Sequence, residues 1–506
     1  ELILARDRAG EKPLYFGYVN KTFFFGSELK ALKCHPAWDG EINQNAIASY
    51  LRHNCVPAPL SIYKNIHKLP AAHYVRVKGF GKEISNPISY WDKENLFNNH
   101  IAAATDDELV DELERLLRNS VSSRMNSDVP LGAFLSGGID SSTIVALMQS
   151  INTQPVKTFS IGFEQEEYNE AQHAKQIAQY LGTDHTELYV TPRQALDVVP
   201  ELSKIYDEPF SDSSQIPTLL VSRLARSKVT VSLSGDGGDE LFCGYKRYSL
   251  GYNIWSKISI LPAPLRMTLS KALRAIPPHT FNLFQHALPS KFRVNNASDK
   301  AQKLADFLEH SQFEEFYQSL ISQNKKPENL LLENVNDANI LRNVHANFTR
   351  KCPEEMMMYW DFMTYLPDDI LVKVDRASMW TSLEVRVPFL DHNVIEYAWS
   401  LPFSTKKRNG CDKWILKEVL NKYIPPELMD RPKMGFGVPI EYWLRWELRD
   451  WAESLLDVNK LKQQGIFDVS QVRKIWDNYI TGSSRNHQEI WNILMFQAWL
   501  ENEGES

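Results

Sequence analysis

The stretch Leu131 to Ser142, LGAFLSGGIDSS, limits what this chain can fold into more than any other. An apolar run (Leu131, Ala133, Phe134, Leu135) breaks into Ser136-Gly137-Gly138, then Asp140, Ser141 and Ser142, then an apolar helical pattern from Thr143 to Gln149. This order reads as a buried strand, a glycine turn and a helix N-terminus. Glycines let the backbone come close to a ligand with its N–H groups turned outward. A helix start offers unpaired donors and the positive end of a dipole, so an anion is favoured there. Ser141 and Ser142 add hydroxyl donors, and Asp140 adds a ligand for a hard cation. The set suits a polyphosphate with its magnesium. No Gly-Lys-Ser/Thr closes the loop, so it is not the Walker A pattern. A Gly-Ser turn at the end of an ordinary α/β strand is the competing reading.

Downstream the pattern alternates: strand 131–135, helix 142–151, strand 156–161, helix 169–181, strand 184–190, helices 192–204 and 215–227, strand 229–234. Such alternation predicts an α/β doubly wound parallel sheet, which takes ligands beyond the carboxyl ends of its strands. Three strand ends carry unusual residues: Ser136-Gly137-Gly138, Ser160-Ile161-Gly162-Phe163, and Ser234-Gly235-Asp236-Gly237-Gly238-Asp239-Glu240. The last lacks the alternating oxygen ligands of a calcium loop. Asp106 to Met125 predicts an amphipathic helix with Leu109, Leu113, Leu116, Leu117 and Val121 on one face. Residues 1–92 read as short strands with turns, as in an α+β domain with antiparallel sheets, plus helices near 27–32 and 44–51. The Asn-rich stretch 93–105 reads as a linker, 106–506 as a second domain, and the part after Tyr248 as mostly helical, with an insertion near 250–350.

Net charge is −7 on 506 residues, which argues against a nucleic-acid or anionic-membrane partner. Five scattered cysteines give neither zinc spacing nor a disulfide framework and point to a cytoplasmic setting. No apolar run reaches membrane length. The chain opens at Glu1 in what reads as a strand, so it is expected to be a fragment that starts within a sheet.

The first loop resembles the PP-loop, SGGxDS, of ATP pyrophosphatases, which cleave ATP between its α and β phosphates. With SGDGGDELFCGY (234–245), LEVRVPFLD (383–391) and RPKMGFG (431–437), it follows the order found in the glutamine-hydrolysing asparagine synthetase B family. ARDRAGEKPLYFG (5–17) and SELKAL (27–32) resemble that family's class II glutamine amidotransferase domain. The resemblance spans nearly the whole chain except about 250–350. It implies ATP and Mg2+ as cofactors, glutamine or ammonia as nitrogen donor, and a small carboxylate acceptor, aspartate first. The product would be asparagine with AMP and pyrophosphate, formed through an acyl-adenylate. A homodimer is left open.

Residue by residue, the resemblance places Asp140 and Asp239 on the metal. It places Ser136, Gly138 and Ser142 on pyrophosphate, Gly137 and Ser141 in the same ATP-binding loop, and Phe134, Ile161, Ser234 and Gly235 along the nucleotide. Asp236 stands where the family has a glutamate that supports the intermediate, one methylene longer. Lys433 is placed on the α-phosphate, although a lone lysine is more often solvated. Tyr245 and Glu384 match a pair that handles the incoming amine; Tyr245 is also readable as a core aromatic, and Arg386 is an alternative partner for Glu384. Asp7 matches the residue that binds the amino group of glutamine, and is also a common turn acid. Asp391 and Lys413 read as structural, a turn acid and a helix start. Cys34 and Cys55 read as small core residues. The class nucleophile is a cysteine at the mature N-terminus, a position this chain does not fill, so the chain as given is expected not to hydrolyse glutamine. Ammonia passing between domains is likewise implied only by the resemblance.

YDEPFSDSSQIPTLLVS (206–222) resembles relatives encoded with surface-polysaccharide genes. That leaves a sugar uronate as an alternative acceptor, with Asp207, Glu208 and Asp212 either recognising an amine or facing solvent. The basic residues of the insertion, among them Lys257, Arg266, Lys271, Arg274, Lys291 and Arg293, read first as a solvated helical face. Its rivals are an acceptor lid and a subunit interface. A tRNA thiolase, a β-lactam-forming cyclase and a non-catalytic scaffold complete the alternatives. Intact Asp140, Asp239 and Lys433 speak against the scaffold.

Overall fold

The computed structural model describes residues 1–79, 81, 83–91, 96, 101, 104–163, 170–276, 297–335, 340–344, 351–429, 437–484 and 486–504. Two small antiparallel sheets open the chain. One joins Leu2–Ala5, His73–Lys78 and Glu83–Ile84, with Ile88–Ser89 also on His73–Lys78; the other joins Thr22–Gly26, Tyr15–Val19 and Ile66–Lys68. Helices Leu29–Lys33 and Gln44–His53 accompany them. Of the expected linker, only 96, 101, 104 and 105 are among the described residues.

Helix Asp106–Met125 begins at a capping box, in which the Thr105 hydroxyl accepts from Glu108 N and the Glu108 carboxylate accepts from Thr105 N. Asp106, Asp107 and Glu108 fill its first turn, where the helix dipole favours negative charge. Its apolar face is buried at Leu109, Val110, Leu113, Leu117 and Val121, with Leu116 half-buried.

The central sheet has five parallel strands in the order Asp184–Val190, Lys157–Phe163, Leu131–Phe134, Val231–Leu233, Glu384–Arg386. Four match the alternation in the sequence. The fifth is only three residues long, too short for a period-2 pattern to register. The expected helix 192–204 is two helices, Pro192–Asp197 and Val199–Ile205. The chain restarts at Val199 with Pro200 in the first turn, where a missing N–H costs no intrahelical hydrogen bond. The helix expected at 142 begins at Ile139, so Asp140 lies in its first turn.

The insertion is helical where described: Lys246–Ile258, Ala263–Ala275, Ala297–Leu308 and Phe313–Ile321. Arg266 is buried with its guanidinium 5.0 Å from the Trp255 ring centroid, and Arg274 pairs with Asp306 at 2.9 Å, so this is not simply a solvated face. Lys291 and Arg293 lie outside the described residues. No helix among the described residues is long and apolar enough to cross a membrane.

The antiparallel part is fused to the rest through one hydrophobic cluster that includes Tyr15, Tyr50 and Tyr63 together with Trp443, Phe496 and Trp499. Buried charges cross the same seam. Glu208 meets Lys68 at 2.5 Å and accepts from Tyr15 Oη at 3.1 Å and Ile62 N at 2.7 Å. Asp207 meets Arg376 at 2.9 Å and accepts from Leu29 N at 3.0 Å. These two acids therefore neither face solvent nor await an amine. They tie the two halves together.

Candidate active site

The first glycine loop is held by its own hydroxyls. Ser136 N donates to Ser141 Oγ at 3.2 Å, the two serine Oγ atoms are 3.0 Å apart, and Gly138 N donates to Ser136 Oγ at 3.3 Å. Gly137 sits at φ +75°, a conformation glycine adopts without strain. The second loop presses on the first. A Cβ on Gly235 would stand 2.7 Å from Ser141 N, so only a residue without a side chain permits this approach. Asp140 and Asp239 both fall in helix first turns, of Ile139–Ile151 and Gly238–Phe242.

Between the two loops lies Lys413. Its Nζ ion-pairs with Asp140 Oδ2 and, at 2.5 Å, with Asp239 Oδ1. Burial alone would lower its pKa, but the two carboxylates more than offset that and hold the ammonium charged. Lys413 is left-handed, φ +57°, at the N-cap of helix Trp414–Asn421. The sequence reading as a plain helix start missed this role. The signal was present: a cation at a helix N-cap opposes the dipole, and neither charge nor capping explains it.

The loops line a cavity of about 790 Å³, within the range of small-molecule and cofactor sites. Its wall holds Phe134, Ser136, Gly137, Gly138, Asp140, Ser141, Ile161, Ser234, Gly235, Asp236, Asp239 and Tyr245, so these expected residues do meet. Ser142 is fully buried and lies outside that wall, because the helix starts earlier than expected and carries it into the core. Lys433 lies outside the described residues.

Tyr245 does not meet Glu384. Glu384 opens the last strand beside Val231, and its carboxylate accepts from Arg386 Nε at 2.7 Å, half exposed. The glycine loop follows the far end of Val231–Leu233, so Glu384 faces away from the cavity. The carboxylate beside Tyr245 is Glu240, whose Oε1 accepts from Tyr245 Oη at 2.8 Å. Burial, with Asp239 adding to it, pushes Glu240 up to about 8. The Arg247 guanidinium stacks 4.1 Å from the Tyr245 ring centroid and is neutralised by Asp361 at 2.6 Å. Burial, with help from Asp239, also raises Asp236, against the charge of Lys373.

In the antiparallel part, Asp7 Oδ1 accepts from the backbone N of Ala9 at 3.1 Å, Gly10 at 2.6 Å and Glu11 at 2.8 Å, and Oδ2 from Lys12 N at 2.9 Å. The turn itself therefore uses much of this carboxylate; Oδ2 keeps acceptor capacity. Cys34 is exposed, not a core residue, while Cys55 is buried. Asp391 caps helix His392–Ser400 and pairs with Arg124 at 3.1 Å.

A parallel sheet ending in two facing glycine loops with converging carboxylates, joined to a two-sheet antiparallel module, defines a two-part α/β protein built around a nucleotide-sized cavity. Residues 112–501 match the family model for asparagine synthase, and residues 1–91 match that for a glutamine amidotransferase domain. The chain belongs to the asparagine synthase family. It is similar to asparagine synthetase [glutamine-hydrolyzing] 1 of Bacillus subtilis, 29% identical over 98% of this chain and 74% of that protein. A putative asparagine synthetase [glutamine-hydrolyzing] of Mycobacterium tuberculosis is 31% identical over 99% and 74%. A second putative one, from Methanocaldococcus jannaschii, is 35% identical over 77% and 71%.

Proposed function

We propose that this chain is an ATP-dependent, amide-forming ligase of the asparagine synthase type, acting on aspartate with ammonia, which a complete amidotransferase domain would draw from glutamine. The observation that carries the reading is the pair of carboxylates, one from each glycine loop, meeting on one ammonium inside a nucleotide-sized cavity. Two hard oxygen ligands around a position now filled by a cation fit Mg2+, which usually binds through one or two carboxylates and the phosphates of its substrate. Asp140 and Asp239 would hold it, and when bound it neutralises charge on the triphosphate.

A carboxylate does not condense with ammonia in water and needs a leaving group. The acceptor oxygen bonds to the α-phosphorus, the bond to the bridging oxygen breaks, and pyrophosphate leaves. Ammonia then attacks the acyl carbon and AMP departs. Backbone N–H groups at Gly137 and Gly138, with the Ser136 and Ser141 hydroxyls, stabilise the departing pyrophosphate. Phe134, Ile161, Ser234 and Gly235 hold the nucleoside. Lys433 supplies charge at the α-phosphate. Glu240, tuned to about 8 and bonded to Tyr245, takes the proton lost by the attacking ammonia. Asp7 binds the amino group of glutamine through its remaining acceptor capacity.

The acids of 206–222 are not left to recognise an amine: Asp207 and Glu208 are in the seam, and Asp212 pairs with Lys373. The test is product analysis with ATP, Mg2+, ammonia and aspartate. AMP, pyrophosphate and asparagine in equal amounts are expected; ADP with orthophosphate refutes the reading.

A further inference from the structure

The first part of the insertion is charged unlike the rest of the chain. Net charge is −7 over 506 residues, yet Lys246 to Ile276 holds six basic residues and no acidic one. Arg247 pairs with Asp361, Arg266 is buried against the Trp255 ring, and Arg274 is neutralised by Asp306 and Glu309. Lys246 stands on the cavity wall. Lys257 and Lys271 are exposed, and among the described residues no carboxylate pairs with either. The same segment exposes apolar side chains. Ile260, in the turn 259–262 between helices Lys246–Ile258 and Ala263–Ala275, is 79% exposed; Leu265, Met267 and Leu269 are 53%, 43% and 41% exposed. One exposed leucine is ordinary, but four large apolar residues within ten positions mark an interaction surface. Helix Ala263–Ala275 is held to the fold by its Arg266 and Ser270 face, where Ser270 Oγ donates to Ala305 O at 2.7 Å. At about 100° per residue, Leu265 and Leu269 lie on one flank of that face and Met267 about 180° from their midpoint, on the other, with Lys271 on the outer side.

We propose that this patch is a docking surface for an anionic lipid bilayer, on which the protein lies through the turn 259–262 and helix Ala263–Ala275. The inference goes beyond the ligase reading and does not depend on it. Lys257 and Lys271 meet the phosphate headgroups, while Ile260, Leu265, Met267 and Leu269 enter the boundary of the acyl region. A protein groove that takes a helix asks for a single apolar stripe. Here apolar residues flank the helix on both sides, a spread that a bilayer accepts. Anionic headgroups would repel carboxylates, and the segment has none. The remainder of the chain is negative and is turned away by the same headgroups, so the overall charge that speaks against membrane binding instead orients the approach, patch first.

The test is co-sedimentation of the whole chain with vesicles of phosphatidylcholine alone and of phosphatidylcholine mixed two to one with phosphatidylglycerol. Binding to the mixed vesicles is expected, weakened by salt and absent with phosphatidylcholine alone. Lys257→Gln with Lys271→Gln should weaken it about 25-fold, about fivefold for each charge near the surface. Ile260→Asp with Leu265→Asp should weaken it at least ~10-fold, since the apolar contact is lost and negative charge is added. All four side chains are exposed, so melting temperatures should hold, and the unaltered protein's choice between the two vesicles tests the inference without any variant. No binding to the mixed vesicles, equal binding to both kinds, or binding that survives both double variants overturns the proposal. So does a dimer that forms with rising concentration and is broken by Ile260→Asp with Leu265→Asp while the vesicles stay bare, because the patch then belongs to a second copy of the chain.

Discussion

Replacing Lys413 with methionine removes the cation between the two glycine loops while keeping most of the side-chain volume. Both carboxylate oxygens touch one nitrogen, so they stand no more than about 5 Å apart; at an effective dielectric of about 20, two negative charges at that spacing repel by about 3 kcal/mol. Removing one partner of a buried ionic group costs about 3–5 kcal/mol in measured cases, which brackets the same figure. Lys413→Met should therefore lose about 3 kcal/mol of stability at neutral pH in denaturant titrations. The loss should shrink on acidification, as one carboxylate takes up a proton. A divalent cation should restore part of it, because the metal now meets the carboxylates without competing with an ammonium. Pyrophosphate release should drop by ~10²-fold, the usual effect of losing one preorganised charged donor. Unchanged stability, no response to Mg2+ and turnover within a few-fold of the starting protein would together refute the claim that Lys413 organises these loops.

Two further outcomes follow from the geometry. Glu240 holds its proton up to about pH 8 when folded and loses it near 4.5 when unfolded, so the folded state binds more protons between those values. Its contribution to stability falls with rising pH across that window, by up to about 1.4 kcal/mol per unit; Glu240→Gln should flatten that slope in melts and remove a rise in amide formation centred near pH 8. Glu208→Gln leaves Lys68 in the seam without its full counter-charge, which should cost about 3 kcal/mol and expose residues 1–91 to limited proteolysis; unchanged protection would refute the seam's role.

What the sequence told and what it hid divide along physical lines. Helix Asp106–Met125 and four strands of the parallel sheet announce themselves through periodicity, a property of neighbouring residues. The glycine loops were legible because their composition has no use in a core. Glu384 was misassigned because a motif carries no direction: on a three-residue strand, Glu384 and Arg386 share one face and satisfy each other. Glu240 was overlooked because it reads as one more acid in a run. Only the reversal at Cys243, left-handed at φ +61°, brings the ring of Tyr245 back to it. Asp207 and Glu208 could not be placed at all without the docked antiparallel part, whose donors come from 140 and more residues away.

Helix His487–Gly504 contributes to the same cluster as Tyr50, whose hydroxyl donates to Asn492 O at 2.7 Å. Residues far apart in the sequence, 442 positions at the Tyr50–Asn492 contact, thus build one wall of the antiparallel part. Removing residues 487–504 should unsettle the antiparallel part before it disturbs the cavity, whose wall they do not join. Anyone wishing to exchange the antiparallel part for another would have to transplant this helix along with it.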